Sequence, residues 1–393
     1  MTRVYLDHIA ATPLHPLVLE AMLPYLRENF GNPQSLHTAG QNAVAGLEEA
    51  RQRVAALINA DPAEVYFTSC GSESNNFAVK GLALAQRERK NRLVLSSIEH
   101  QSVLHSSKSL EKLGFKTTLV PVDKFGLIDP AEVKKELTKE TALVSMMLAN
   151  SEVGTIEPVR EIAQVCRAQN VLVHTDAVAA AGNIPIDVRD LGVDSLSLAA
   201  DQFYGPKGSA ALFLKKGTRI LPFLDGGIQE GGRRAGTENV AGIVGMGKAA
   251  EIAKQEMPNR LKKLIPLRES LINRLPQKVG HLYLTGHPDK RLPHHASFVV
   301  EFIEGEGMLL FLDMKGISVS SGSACTSKAL KASHVLLAMG MDHALAQGSL
   351  VFSLIDETSA GDIDYLLEEF PPIIDRLRRM SPLYTKYLEE KAK

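Results

Sequence analysis

The sequence predicts an α/β protein: a large, mostly parallel sheet covered by helices on both faces, followed by a smaller α+β part. Three observations carry this. Short apolar segments recur along the first two-thirds of the chain, separated by stretches with helical spacing. The order of elements changes after a long helical region that ends near residue 275. The chain has 393 residues, 45% of them hydrophobic, enough for more than one core. The expected division is a large part over 1–255, N-terminal segment included, and a small part over 256–393.

In chain order, residues 1–5 run straight into a strand-like segment, with no signal-peptide h-region. Residues 42–58 place Val44, Leu47, Val54 and Leu57 on one helical face. A strand over 65–68 leads through a loop at 69–72 to a helix expected to start near Ser74. Residues 92–97 and 117–122 read as strands. Asp129-Pro130 opens a short helix, with Asp as N-cap and Pro in the first turn. A strand over 142–148, a helix over 159–169 and an apolar strand over 171–175 ending in Asp176 follow. Residues 195–200 and 211–214 complete the series. In such sheets ligands sit beyond the carboxyl ends of the strands. From about Gly236 to Leu275 the pattern is helical, with interruptions expected at Pro258 and Pro266. Strands near 281–285 and 296–303 then precede a helix at 305–314. A strand over 350–354 and a final helix, capped by Ser359 with Asp362 three residues on, end the chain.

Composition excludes several classes. Lys+Arg is 44 and Asp+Glu is 45, so no net field draws nucleic acid or a membrane surface. No run of 18 apolar residues predicts a transmembrane helix. Three cysteines do not make a disulfide framework, and a reducing, cytoplasmic location is the default expectation.

Several segments together resemble the cysteine desulfurase (NifS/IscS-like) branch of the class V aminotransferases. They are Tyr5-Leu6-Asp7 with Ala10 and Thr12-Pro13, and Gly31-Asn32-Pro33-Gln34-Ser35-Leu36-His37. Thr68 to Asn76 resembles that family's phosphate loop. Glu99-His100, Asn150 to Gly154, Asp176, Tyr204 to Gly208 and Arg234 to Asn239 stand at matching places. The run Ser320-Ser321-Gly322-Ser323-Ala324-Cys325-Thr326 is the most specific match. The resemblance spans almost the whole chain. It implies the fold-type-I architecture of pyridoxal-phosphate (PLP) enzymes, with a seven-stranded type of large sheet. It also implies a homodimer with active sites near the interface. Fold alone does not settle function, so each site position is weighed separately.

The resemblance implies a lysine holding PLP as a Schiff base, in a pattern Ser-x-His-Lys ahead of Tyr-Gly-Pro-Lys-Gly. Here Gln202 stands at the lysine position, and its delocalised amide neither forms an imine nor acts as a base. Lys207 matches the second lysine of the pattern and reads as a surface or structural residue. The Ser and His that bind the PLP phosphate are replaced by Ala199 and Asp201. A carboxylate beside a phosphate costs about 4 kcal/mol per pair of unit charges at about 4 Å and an effective dielectric near 20. The positions that contact the phenolic oxygen carry Ser151 and Ala179. The arginine that grips the substrate carboxylate is replaced by Val351, which removes a bidentate anchor. Retained family positions are Ser72 and Thr237 for phosphate, Asp176 for the pyridine nitrogen and His100 for ring stacking; the resemblance has Thr237 reaching in from the other subunit. Asp176 also reads as a strand-end cap and His100 as a satisfied core histidine.

Cys325 matches the family cysteine that carries a persulfide to acceptors. Its Ser/Gly/Ala surroundings favour a reactive thiol over a buried apolar one. Cys166 reads as core, and Cys70 falls in the former phosphate loop. His8, Cys70, His100, Asp176, Asp201 and Cys325 all map to or near the inferred pocket. Cys325, His100 and Asp201 are therefore candidate ligands for a metal or an iron–sulfur cluster, although no ligand spacing supports this. The expectation is a desulfurase-like protein that has lost PLP-dependent activity. It would keep a sulfur-handling or iron–sulfur assembly role through Cys325, with a scaffold or sulfur-acceptor protein as partner. An atypical enzyme with noncovalent PLP, and an inactive subunit paired with an active paralogue, remain as alternatives.

Overall fold

A computed structural model describes residues 3–322 and 332–392. Twelve strands organise them. In chain order these are β1 (Val4–Tyr5), β2 (Val65–Thr68), β3 (Arg92–Ser96), β4 (Lys116–Val120), β5 (Thr141–Ser145) and β6 (Leu172–Asp176). They continue with β7 (Ser195–Ala199), β8 (Ala210–Leu214), β9 (Leu282–Leu284), β10 (His295–Val300), β11 (Ile317–Ser318) and β12 (Ser349–Ser353).

The large sheet has seven strands in the order β2-β8-β7-β6-β5-β3-β4. The run from β7 to β4 is parallel, and β8 pairs antiparallel to both β7 and β2. β5, β7 and β8 are buried at every position, which is why their sequences are continuous apolar or small-residue runs rather than alternating ones. Two hydrophobic clusters cover the faces. One joins Val144, Val173, Leu196 and Phe213 to Leu47, Val54 and Met246; the other joins Leu93, Leu95 and Leu143 to Phe77 and Leu82.

The helix Val240–Lys278 does not break where proline was expected to interrupt it. Pro258, Pro266 and Pro276 all lie within its 39 residues. Each interior proline removes a backbone hydrogen bond at a cost of about 3 kcal/mol. Against that cost stand Ile243, Met246, Ala250, Met257, Leu264, Leu271 and Leu275, buried along the whole length. This helix carries the chain from the core of the large sheet to a second core.

That second core packs on the antiparallel sheet β12-β10-β9 and contains Phe298, Phe352, Leu366 and Phe370. It also takes in Val4 and Leu6, and β1 pairs in parallel with β11. The N-terminal strand thus joins the C-terminal part of the chain by pairing and packing, not the large sheet. Asp129 and Ser359 cap their helices as the sequence indicates, the latter in a reciprocal capping box with Asp362. The last helical stretch divides at Ser381 into Ala360–Met380 and Pro382–Lys391. No helix among the described residues is long and apolar enough to cross a membrane.

Candidate active site at the carboxyl ends of the strands

β2, β3, β5, β6 and β7 end on the same edge of the sheet, and the loops leaving them gather most of the expected site residues. Asp176 closes β6 and is 6% exposed. Its Oδ2 accepts from Asn75 Nδ2 at 2.6 Å, and its Oδ1 accepts from Val178 N at 3.0 Å. Asn75 Nδ2 also donates to Ser102 Oγ at 2.9 Å. Ser102 Oγ lies 2.7 Å from His100 Nδ1, which also accepts from Ser102 N at 3.2 Å. With an N–H already pointing at it, Nδ1 carries a lone pair, so the Ser102 hydroxyl donates and Nε2 holds the ring proton. His100 and Asp176 are therefore linked through Asn75 and Ser102. Sequence alone gives these two residues no role. Their only signals were membership of the 68–76 run and a position two residues into the helix that His100 caps.

Beneath this chain lies Glu99, fully buried. Its Oε1 accepts from Ser96 Oγ at 2.7 Å and from Met147 N at 2.8 Å, while Oε2 has no partner. Burial, with the charge of Asp176 adding to it, pushes this carboxyl up to about 8.

The turn after β7 is arranged differently. Ala199 ends the strand, and Gln202 is buried two residues after the short 3-10 turn begins. Gln202 Nε2 donates to Ile9 O at 3.2 Å, and Gln202 O accepts from Asn183 Nδ2 at 3.2 Å. His8 Nε2 lies 3.0 Å from the same carbonyl. Asp201 O accepts from Thr12 N and from Thr12 Oγ1, both at 2.9 Å. Tyr204 N donates to Thr12 Oγ1 at 2.8 Å, and His15 N donates to Tyr204 O at 3.1 Å. Tyr204 holds φ +64, a left-handed conformation that this web of bonds stabilises. Residues 8–15 thus form a strap around residues 201–204, and the Gln202 amide is part of the fastening. The Asp201 side chain is half-buried; burial raises its carboxyl, and Lys207 opposes the shift. Lys207 itself is exposed, in keeping with a surface role.

The remaining positions follow from the packing. Ala179 is buried and small. Ser151 O accepts from His295 Nε2 at 2.9 Å. Val351 is buried in β12, exchanging backbone bonds with Ser320 at 2.8 and 3.1 Å. Ser72 is exposed in the first turn of the helix Gly71–Ala85, which begins three residues before the expected start near Ser74. Cys70 is that helix's N-cap residue and makes no side-chain cap bond. A Cβ built on Gly71 would lie 2.7 Å from Val178 Cγ2, so Val178 closes directly on the helix start. Thr237 is exposed and lines a cavity of about 230 Å³ with Thr68, Ser69 and Arg234 of its own chain. Cys325 lies outside the described residues. Among the described residues, no group of three or more His, Cys, Asp or Glu side chains is placed to hold a metal ion.

A family model for class-V aminotransferases matches residues 4–366. This chain belongs to that family. It is 47% identical over 379 residues to the cysteine desulfurase IscS of Dictyoglomus turgidum, with 96% of each chain covered. It is 44% identical to cysteine desulfurase IscS 1 of Archaeoglobus fulgidus, covering 97% of this chain and all of that one. A solved NifS-like protein superposes with a TM-score of 0.90 at 38% identity, over 96% of this chain and 100% of its own. The NifS/IscS-like family depends on PLP. The residues present in this member do not fit a PLP held through an imine. Position 202 offers an amide already bonded to Ile9 O, Ala199 has no hydroxyl, and Asp201 offers a carboxyl in place of a phosphate-binding imidazole.

Proposed function

We propose that this NifS/IscS-like protein has lost PLP-dependent cysteine desulfuration and handles sulfur through the Cys325 thiol. The observation that carries the reading is Gln202, whose amide stands at the lysine position and is engaged with Ile9 O. In the proposed role the Cys325 thiolate attacks the outer sulfur of a donor persulfide. A new S–S bond forms on Cys325 as the donor's S–S bond breaks, and the electron pair leaves with the donor thiolate. Passage to an acceptor thiol repeats the exchange, so no external oxidant is consumed. The donor or acceptor would be a partner protein such as an iron–sulfur scaffold, in a reducing, cytoplasmic setting. Exposed apolar side chains at Leu17, Leu19, Leu26, Phe30, Leu36 and Ile228 support assembly as a dimer, either with itself or with an active paralogue.

The test is absorbance and sulfide release from L-cysteine, with and without added PLP. No stable PLP band and no sulfide above background are expected, together with uptake of sulfane sulfur from a small persulfide donor that a Cys325→Ala variant lacks. Sulfide release at the rate of an active relative would overturn the reading.

A second reading, noncovalent PLP, draws on the intact link from His100 through Ser102 and Asn75 to Asp176. Sulfide release that depends on added PLP, with no cofactor left covalently attached to the chain after borohydride reduction, would favour it. Iron or zinc found in anaerobically purified protein would instead favour a metal or iron–sulfur cluster held with Cys325, His100 and Asp201.

A further inference from the structure

We propose that Tyr387 is a nucleophilic hydroxyl, with His281 as its general base and Glu301 orienting that base, and that it takes up a phosphoryl-type group from a phosphorus electrophile. The three residues stand at the start of β9, just past the end of β10 and in the helix Pro382–Lys391. These elements carry neither Asp176 nor Gln202, so the inference stands apart from the proposed function.

His281 and Glu301 face each other across the antiparallel pair, and Glu301 N donates to His281 O at 3.0 Å. His281 Nδ1 lies 2.8 Å from Glu301 Oε2. Against an ionised carboxylate, which only accepts, Nδ1 carries the ring proton, and Nε2 of the neutral ring keeps a lone pair. Tyr387 OH lies 3.1 Å from Nε2 and donates to it. Hydroxyl, imidazole and carboxylate thus follow in the order, and at the spacings, of an activated nucleophile. Lys391, one turn further on, holds its ammonium 5.2 Å from the centre of the Tyr387 ring. Its hydrogen bond to Tyr387, and then the charge that phenol can carry, raise Lys391 above its ordinary value. A cation therefore stands beside the oxygen on which negative charge would develop.

The backbone holds this arrangement under strain. His281 has φ +53 and Phe302 φ +74, left-handed conformations that bulky side chains adopt only where the surroundings over-determine them. Arg378 Nη2 donates to Gly280 O at 2.7 Å and to His281 O at 3.3 Å, and Ser381 Oγ donates to Phe302 O. The Phe302 ring lies 4.8 Å from that of Tyr387, and His281 meets Tyr387 edge-on at 5.1 Å. Packing alone would need only rings, and a phenylalanine at 387 would supply one. It would not need an imidazole with both nitrogens committed, nor a lysine beside the phenol oxygen. His281, Glu301 and Tyr387 are all half-buried, so the site is open to a reagent. In the step, the Tyr387 oxygen attacks phosphorus while His281 Nε2 takes the phenolic proton. An O–P bond forms, the bond from phosphorus to its leaving group breaks, and the electron pair departs with that group. Nothing is oxidised or reduced, and Glu301 holds the imidazolium that results.

The experiment treats the full-length protein with limiting diisopropyl fluorophosphate, from which fluoride leaves, and follows each tyrosine by peptide mass. Tyr283 is the internal reference. It is 47% exposed and donates to the same Glu301 Oε2 at 3.2 Å, but no imidazole accepts its proton. Tyr387 should be labelled about tenfold faster than Tyr283. His281→Gln should slow labelling of Tyr387 about a hundredfold, the lower end of what a general base supplies. Glu301→Gln still accepts from Nδ1 but lacks the charge that holds the imidazolium, and should slow it about tenfold. Neither variant should change the rate at Tyr5, which is exposed and outside the cluster. Labelling of Tyr387 no faster than that of Tyr283 overturns the proposal. So does a rate at Tyr387 that His281→Gln leaves unchanged, since exposure alone would then account for it. Should His281→Gln fail to fold, Glu301→Gln decides: slower labelling at Tyr387 supports the relay, and an unchanged rate removes it.

Discussion

Two regions on the same sheet edge have had different fates. Around Asp176, Asn75, Ser102 and His100 form a continuous chain of hydrogen bonds, while Asn75 Oδ1 and Glu99 Oε2 are buried without a partner. Around Gln202, the polar groups are satisfied by the N-terminal strap instead, through Ile9, Thr12 and His15. The first arrangement links side chains at the carboxyl ends of β3 and β6. The second converts a position that is a reactive amine in the family into a structural fastening. A buried amide needs a partner, because leaving it unpaired costs about 1–3 kcal/mol. At position 202 the glutamine amide meets that need by bonding the strap.

The largest effect expected from this comparison lies on the retained side. Glu99 is raised from 4.5 to about 8, so the folded protein favours its neutral form. The stabilisation this gives is complete below the unfolded-state value near 4.5. It declines as pH rises, and it is gone once pH passes about 8. Glu99→Gln keeps an oxygen to accept from Ser96 Oγ and Met147 N but cannot ionise. The variant should match wild type in acid and become more stable by up to roughly 5 kcal/mol at the alkaline end. Urea unfolding across the range checks this. A constant difference at all pH values would mean that Glu99 is already charged in the fold, and the retained region would then be a poorer likeness of a working site. Glu157, also raised to about 8 and repelled by Glu99, contributes a similar slope that the substitution leaves in place.

On the rewired side, Gln202→Lys should destabilise the fold by about 3 kcal/mol, because it breaks the bond to Ile9 O and puts an ammonium in a buried position. It should not restore sulfide release. Val351 still supplies no carboxylate anchor, and Asp201 still offers a carboxyl rather than a donor for the phosphate. Denaturant midpoints and sulfide assays on one preparation read both outcomes. A Gln202→Lys protein that is as stable as wild type and releases sulfide would show that the strap accommodates lysine and that the other substitutions are secondary.

The comparison also marks what the sequence could and could not convey. The strands of the large sheet were legible because burial on both faces leaves near-continuous apolar runs, as in β5 and β8. The identity of Gln202 was legible once the flanking Tyr204-Gly205-Pro206-Lys207-Gly208 fixed its place. Its partner was not, because Ile9 lies at the other end of a long loop closure and the bond uses a backbone carbonyl, which has no sequence signature. The raised carboxyls of Glu99 and Glu152 were equally hidden, since they follow from enclosure rather than from residue type. The uninterrupted helix through Pro258 and Pro266 follows the same logic: local propensity argues for a break, and tertiary burial along one face prevails.

The smallest expected effect isolates the fastening from the charge. Gln202→Met has a similar length and no amide, so it leaves Ile9 O without its donor while keeping most of the packing volume. The cost should be about 1 kcal/mol, within the range for one buried neutral hydrogen bond, and faster amide exchange should be confined to residues 8–15. Set beside Gln202→Lys, it separates two contributions that the lysine variant mixes. If the two substitutions cost the same, charge burial is not the obstacle to lysine here, because the strap opens far enough to let the ammonium reach water. If methionine costs little and lysine much, the closed strap itself keeps a cation out of position 202. Regaining an amine at this site would then require loosening residues 8–15 before any change in the pocket.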